Sequence, residues 1–434
     1  MRPLSWAGIA RLGLVQMALG SVVVLTTATM NRVMVVELAL PAILPGLLVS
    51  LYYGTQFLRP RFGHGADQGG RRTPWIIAGV ALLALGAVCA ALSVGLMERA
   101  AWMGIAAAVP SFLLIGLGIG AAGTNLLALL ASRVSEARQA PAGSLVWIMM
   151  IFGLAATGIT AGLLLDPYTH SRLVAVTVGV CLVALTLTCI GVWGQEGQGG
   201  ISQVREKAAF GDVAREFWST PRLRNFTVFV FASMLAYNLQ DLILEPFAGH
   251  VFGLTVGQST QLGGMHHAGA LCGMLLVLLS GTLLARWVHV PIRFWVVGGC
   301  VLSGVALTGL AWGGTQAASW PLGPNIFTLG LANGAFAVAA IGAMMRLSRE
   351  GGDGREGLRM GLFGAAQAIA FGTGSFIGTA MVDVMRQITT SDAVAYGTVF
   401  AFEGFVFLIA AVLALRLTTP RANQAAGTAM MAGE

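Results

Sequence analysis

Long apolar runs separated by short polar breaks dominate this chain. Twelve runs can be marked, at roughly 8–30, 40–59, 74–95, 103–131, 142–165, 171–193, 223–246, 258–285, 292–313, 324–346, 358–382 and 394–416. Apolar stretches of ~20 residues have the length of a membrane-spanning helix. The longest polar break, 194–222, separates six runs from six. The pattern predicts an all-α membrane protein with twelve transmembrane helices. Its halves would be 1–193 and 223–416, joined by a linker at 194–222 and followed by a disordered tail at 417–434. No small-residue cleavage site follows the first run, so that run is read as a span and not as a removable signal.

Composition agrees. The chain is 56% hydrophobic and 10% charged, with a mean hydropathy of +0.79, where a soluble domain carries about 25% charged residues. Its water-facing surface must therefore be small. The formal charge is +7, and Lys207 is the only lysine. In a soluble chain such a balance would suggest nucleic acid; in a membrane chain it reports topology. With the N-terminus in the cytoplasm, 21 of the 25 basic residues fall on the cytoplasmic side, leaving Arg32, Arg99, Arg172 and Arg386 elsewhere. This bias predicts that both termini are cytoplasmic.

The halves look like copies. "IGLGIGA" (115–121) and "LGLANGA" (329–335) match in glycine spacing, Gly116 and Gly120 against Gly330 and Gly334. Both runs exit into arginine-bearing loops. A 6+6 pseudo-repeat resembles the major facilitator superfamily, whose halves are related by an axis along the membrane normal. The loop "GHGADQGGRR" (63–72) resembles that superfamily's signature, with Gly63, Asp67, Gly70, Arg71 and Arg72 at the matching positions. The resemblance implies a conformational role for this loop, with glycines in tight turns and Asp67 paired to an arginine across helix ends.

Residues 202–218 carry Phe210, Val213, Ala214, Phe217 and Trp218 at helical spacing, opposite most of the charges. That is the pattern of an amphipathic helix lying on the membrane surface. "GIGAAG" (118–123) has dinucleotide-motif spacing but lies inside a span, where its glycines serve close helix packing. Cys89, Cys181, Cys189, Cys272 and Cys300 all fall within apolar runs without metal spacing and read as small packing residues. No phosphate loop, triad, zinc spacing or DNA-binding module is recognisable, so the chain is not expected to be an enzyme.

The intramembrane polar residues are the informative set, because their cost demands a role. Asn31, Arg32 and Glu37 flank the first run, and Asn238, Gln240, Asp241 and Glu245 lie in the pseudo-equivalent seventh. Arg32 would pair with Asp241 or Glu245, either as a static lock between halves or as part of a ligand or proton site. Glu403 lies in mid-span as a protonated acid, a paired carboxylate or a metal-centre ligand. His266 and His267 sit inside the eighth run among Gly263, Gly264, Ala268, Gly269 and Ala270. Neutral imidazole ligates metals, and the small neighbours would leave room for a flat chlorin ring. His250 is a further candidate. Satisfied core histidines remain the alternative.

Three segments together carry a more specific likeness: "NRVMVVELALPA" (31–42), "YNLQDLILEPFAGHVFG" (237–253) and "GLRMGLFGAAQAIAFG" (357–372). They resemble the PucC/LhaA family, the bacteriochlorophyll-delivery branch of the major facilitator superfamily in phototrophic bacteria. The resemblance implies a light-harvesting complex assembly factor. Its cofactor would be bound bacteriochlorophyll, contacted by residues drawn from His266, His267, His250, Glu403, Asn31 and Gln240. Its partners would be antenna polypeptides, bacteriochlorophyll synthase or geranylgeranyl reductase, and membrane lipids, with no nucleic acid. Its place would be the intracytoplasmic photosynthetic membrane. The competing class is a proton-coupled small-molecule transporter using Glu37, Asp241, Glu245 or Glu403.

Overall fold

The computed structural model describes residues 4–58, 61–62, 71–196, 219, 221–281, 290–349 and 356–418. Gly63, Asp67 and Gly70 of the loop motif, the amphipathic segment 202–218 and the end of the tail lie outside the described residues. Among the described residues eleven helices are long and apolar enough to cross a membrane, and a shorter apolar one, Ile43–Leu58, makes twelve. We number them α1 Trp6–Glu37, α2 Ile43–Leu58, α3 Thr73–Arg99, α4 Ala101–Arg133, α5 Glu136–Leu165, α6 His170–Val192, α7 Leu223–Phe252, α8 Val256–Gly281, α9 Ile292–Gly314, α10 Leu322–Arg349, α11 Glu356–Ile388 and α12 Asp392–Thr418. Large apolar side chains such as Leu163, Leu182, Phe294, Val305 and Phe405 point outward. A multi-pass membrane protein exposes such side chains to lipid, where they cost nothing. Two cysteines, Cys189 and Cys272, are also exposed, so they do not fill the interior as expected; Cys181 and Cys300 do.

Packing repeats between the halves. Helix α3 packs on α4 and α6, and α9 packs on α10 and α12; α1 packs on α5, and α7 on α11. The matched glycines explain one such pair of contacts. A methyl at Gly116 would strike Thr55 and lie 2.7 Å from the Tyr52 carbonyl on α2, and one at Gly330 would strike the His266 carbonyl on α8. Gly118 likewise seats α4 on α3, where a Cβ would lie 2.5 Å from the Leu83 nitrogen. The "GIGAAG" stretch is thus a packing surface.

Each half has its own apolar core, and the cores trade residues. Val35 and Ala42 join the C-terminal core, whereas Leu242 and Val256 join the N-terminal one. The halves meet along two seams, α5 against α8 and α2 against α11. The traded residues all sit toward the face bearing few arginines, so the halves interlock there. The arginine-rich parts of α1 and α7 make at most marginal contact with each other.

Candidate functional site

Helices α1 and α7 run further than their apolar runs suggest, to Glu37 and Phe252. Asn31 and Arg32 are therefore inside a spanning element, as Asn238, Gln240, Asp241 and Glu245 are within the seventh run. Both elements are irregular at this depth. Helix α1 contains two π-type segments, Leu25–Thr29 and Val33–Glu37, around the short α segment Met30–Arg32. Helix α7 is interrupted at 240–243 and resumes at Leu244. Such breaks survive in a membrane only where protein groups satisfy the freed backbone, and π segments often mark functional sites.

The two irregularities serve each other. Asn31 Nδ2 donates to the carbonyl of Leu242, inside the α7 break, at 2.5 Å. Buried Arg32 donates from Nε to Ser259 Oγ at 3.1 Å, from Nη2 to the Leu254 carbonyl at 2.7 Å, and from Nη1 to Glu37 Oε1 at 2.5 Å. The ion pair expected between Arg32 and Asp241 or Glu245 is instead formed with Glu37. The π segment is the reason, since i→i+5 bonding brings Glu37 beneath Arg32. Thr29 and Thr260 hydroxyls meet at 3.1 Å, and Thr260 Oγ1 donates to Glu245 Oε2 at 3.5 Å. Among the described residues Glu245 Oε1 has no partner, and it faces Gly263, where a Cβ would lie 2.7 Å away. Both polar atoms of buried Gln240 are also unpartnered. Asn238 works within its own half, donating to the Phe371 carbonyl at 2.7 Å and to Ser375 Oγ at 2.5 Å on α11.

Asp241 is only partly buried and is an electrostatic neighbour of Tyr53 and Tyr237. Phe371 stacks on Tyr237 at 6.1 Å and meets Tyr53 edge-on at 5.8 Å, while Tyr52 lies 4.4 Å from Tyr53. These aromatics come from α2, α7 and α11, and two of them, Tyr53 and Tyr237, lie near the Asp241 carboxylate. Sequence reading missed them, although "LYYGTQ" and "AYNLQD" hold three of the chain's five tyrosines, and the second of these lies in the span already flagged by Asn238, Gln240 and Asp241. It also missed Ser259 and Thr260, which look like ordinary helix residues until Arg32 and Thr29 are seen against them.

The histidines part ways. His250 Nδ1 accepts from Arg386 Nη2 at 2.8 Å and lies 3.0 Å from the Tyr396 hydroxyl, with Arg386 also bonded to Asp392 at 2.7 Å. That nitrogen is committed to a polar cluster and is unavailable to a metal. Buried His266 has Nε2 at 3.4 Å from Asn333 Nδ2, and Asn333 Oδ1 accepts from Ser303 Oγ at 2.7 Å, a chain linking α8, α10 and α9. His267 keeps a buried Nδ1 without a partner among the described residues. The space expected beside two of the flanking glycines is filled. A Cβ at Gly264 would lie 2.6 Å from the Ile159 nitrogen on α5, and one at Gly269 would strike the Phe327 carbonyl on α10. Gly264 and Gly269 therefore serve close helix approach. Glu403 is fully buried on α12, with neither carboxylate oxygen partnered among the described residues. It belongs to no cluster of metal-ligating side chains among the described residues.

At the arginine-rich face, Arg72 of the loop motif donates to the Ala128 carbonyl at 2.5 Å and Ser132 Oγ at 3.3 Å, near the end of α4, and Arg71 is exposed. Glu196 caps α3, accepting from the Arg72 and Thr73 backbone nitrogens.

Comparison with known proteins places this geometry. A model of the PUCC protein family matches residues 29–422. The chain belongs to the PUCC protein family. The match covers every candidate residue of the polar seam. A Rhodobacter capsulatus protein described as the bacteriochlorophyll synthase 44.5 kDa chain is 47% identical over 99% of this chain and 100% of its own length. Protein PucC of Cereibacter sphaeroides is 30% identical over 93% of this chain and 90% of its own. A solved structure from work on substrate recognition in proton-dependent oligopeptide transporters superposes with a TM-score of 0.70, covering 95% of this chain and 98% of that one at 14% identity. At that identity the likeness speaks of fold alone. It identifies the major facilitator superfamily fold in this PUCC protein.

Proposed function

We propose that this PUCC-family protein holds bacteriochlorophyll in the photosynthetic membrane of a bacterium. It passes the pigment to light-harvesting antenna polypeptides, or receives it from late pigment-synthesis enzymes such as bacteriochlorophyll synthase or geranylgeranyl reductase. The observation that carries this reading is the full-length, 47% identical relative named for bacteriochlorophyll synthesis, joined to the family match. In this reading the chain is a companion of the synthesis machinery and performs no catalysis itself, and both termini face the cytoplasm.

The chemistry of the pigment suits such a body. Its macrocycle is apolar and planar, and its isoprenoid tail belongs in lipid. A carrier must release it, so one weak axial ligand serves better than several strong ones. His267, with a ring nitrogen unpartnered among the described residues, and Asp241, an electrostatic neighbour of Tyr53 and Tyr237, are the residues best placed to contact it; carboxylate oxygen suits magnesium.

The test is an absorption spectrum of the protein purified gently from a phototrophic host. Bound bacteriochlorin, or co-purifying antenna or synthase polypeptides, is the expected result. A second reading, a proton-coupled solute transporter, is favoured by the unpartnered oxygen of Glu245 in the seam. A colourless protein that moves a solute into proteoliposomes would establish that reading and overturn the first.

A further inference from the structure

Some helix ends in this chain are satisfied from a neighbouring helix. Asp383 on α11 accepts from the backbone nitrogens of Ala42 and Ile43, which open α2, at 2.9 and 2.7 Å. Asp166, which ends α5, accepts from Thr255 Oγ1 at 2.8 Å and the Gly257 nitrogen at 3.2 Å, at the start of α8. Both are anions at helix N-termini, where the backbone dipole favours them. Arg11 on α1 is the cationic counterpart. Its Nη2 donates to the carbonyls of Ile190 and Trp193, each at 2.7 Å. Those are acceptors that the end of α6 leaves free, and α6 has no basic residue of its own in its last turn.

Arg11 differs from the aspartates in one respect. Each aspartate commits both carboxylate oxygens to its cap. Arg11 commits one nitrogen, so Nε and Nη1 have no protein partner among the described residues, and no carboxylate pairs with the guanidinium.

The place where this half-used cation stands is also defined. Gly191 brings α1 and α6 together, since a Cβ there would lie 2.7 Å from the Arg11 carbonyl. Beside this crossing the surface opens into a groove of about 510 Å³, lined by Arg11, Leu185, Thr186, Cys189, Ile190 and Trp193. Its wall follows α6 for about 12 Å. The Thr186 hydroxyl donates to the Leu182 carbonyl of its own helix at 2.8 Å, so Arg11 brings the one charge to a mainly apolar wall. Trp193 is 78% exposed, and Trp6, at the same end of the molecule, is 47% exposed. Tryptophans collect at the headgroup level of a bilayer. The cation therefore stands at that level, while Leu185 lies about two turns deeper, in hydrocarbon.

A groove of this form fits an amphiphile with an anionic head and an apolar chain. A free phosphate would gain nothing from the wall, and a neutral lipid would leave the cation unmatched. The arginine-rich face is the one that the basic-residue bias assigns to the cytoplasm, whose leaflet carries anionic lipids. We infer that the groove between α1 and α6 binds one anionic phospholipid, with phosphate oxygens accepting from Arg11 and an acyl chain along Leu185, Cys189 and Ile190. Phosphate and guanidinium form short, charge-assisted bonds, so the headgroup joins Arg11 and the end of α6 into one anchored unit. The site is separate from the polar seam and stands whatever guest the seam accepts.

The test counts lipids on the full-length protein by native mass spectrometry, after titration in detergent with phosphatidylglycerol or phosphatidylcholine of the same chains. The parent should retain one phosphatidylglycerol about fivefold more tightly than phosphatidylcholine, the worth of one basic contact to an anionic headgroup. Arg11→Gln should erase that preference, and Arg11→Lys should keep most of it. Cys189→Trp leaves Arg11 and its carbonyl partners in place but fills the groove, and should lower phosphatidylglycerol retention by a similar factor. If Arg11→Gln fails to fold, Cys189→Trp decides alone. Equal retention of the two lipids by the parent would overturn the proposal, as would a preference that survives in Arg11→Gln or in Cys189→Trp. So would displacement of the lipid by equimolar inorganic phosphate, which would make this a site for a free anion. A polypeptide that shields Cys189 from maleimide in native membranes, with no lipid retained, would assign the groove to a protein and overturn it too.

Discussion

Arg32 and Glu37 lie five residues apart on one helix, yet their side chains meet at 2.5 Å. On a regular α-helix such residues point about 140° apart. The π segment Val33–Glu37, closed by the Leu38 nitrogen on the Val33 carbonyl at 3.0 Å, fits an extra residue into the turn and swings Glu37 beneath the guanidinium. Arg32 is almost wholly buried, while the Glu37 side chain is 40% exposed. The cation is thus tied into the seam and the anion stands at its rim.

That asymmetry sets the first prediction. Arg32→Leu leaves the Leu254 carbonyl, Ser259 and Glu37 without their donor and should cost about 3 kcal/mol, as removal of one partner of a buried pair does. Glu37→Gln keeps a hydrogen-bond acceptor at a half-exposed site and should cost about 1 kcal/mol. Thermal unfolding of the detergent-solubilised protein should rank the two variants in that order.

The glycines of the α5–α8 seam should tolerate nothing larger. Gly264→Leu places its first carbon 2.6 Å from the Ile159 backbone, and overpacking of this kind costs about 1–3 kcal/mol or more. A methyl added at Gly298 in α9 would meet nothing within 4 Å, so Gly298→Ala should raise stability by up to about 1 kcal/mol through helix propensity. Opposite shifts in melting temperature are expected.

The two adjacent histidines should separate under mutation. His266→Ala breaks the chain to Asn333 and Ser303 and should lower the melting temperature while leaving pigment per protein nearly unchanged. His267→Ala should lower pigment occupancy more than it lowers stability. Absorbance per mole of protein, read alongside thermal unfolding, distinguishes the outcomes.

Acidification should weaken the arginine-rich face through Glu196. Burial raises its carboxyl, but the Arg72 and Thr73 backbone bonds and the nearby Arg71 outweigh that and hold it below its ordinary 4.5. A carboxylate depressed in the folded state contributes stability above its unfolded pKa and loses it as pH falls through the folded value. Melting temperature should fall as pH drops below about 4.5 in the parent, and Glu196→Gln should show a shallower fall.

Glu403 makes the opposite case. With no partner to lose among the described residues, Glu403→Gln removes a buried ionisable group at nearly constant volume. Melting temperature should be unchanged or higher, where a paired carboxylate would give a clear loss.

Much of this was legible in the chain. Spans and their number follow from apolar length, because a bilayer imposes one thickness on every helix. The repeat shows in Gly116 and Gly330, since close approach leaves only one residue type that fits. Asn31, Arg32, Gln240 and Glu245 stood out because polar groups are rare in a span. Which of them would touch did not stand out. Partner choice depended on an i→i+5 turn and a helix break, neither of which has a local sequence code, and so Arg32 found Glu37 instead of Asp241 or Glu245. The space imagined beside Gly264 and Gly269 vanished for a related reason: a small side chain is an invitation to a neighbouring helix, and α5 and α10 accept it.

The amino-acid sequence by itself determined a twelve-helix, two-fold repeated membrane body and the short set of residues whose polarity needs an explanation, because the hydrophobic effect acts on each segment independently of the others. The tertiary structure alone decided which side chains tie the two halves together. Asp166 and Asp383 are ordinary loop and helix-end carboxylates until α5 is laid beside α8 and α11 beside α2, because a free helix N-terminus becomes a partner only for an anion that another segment carries to it.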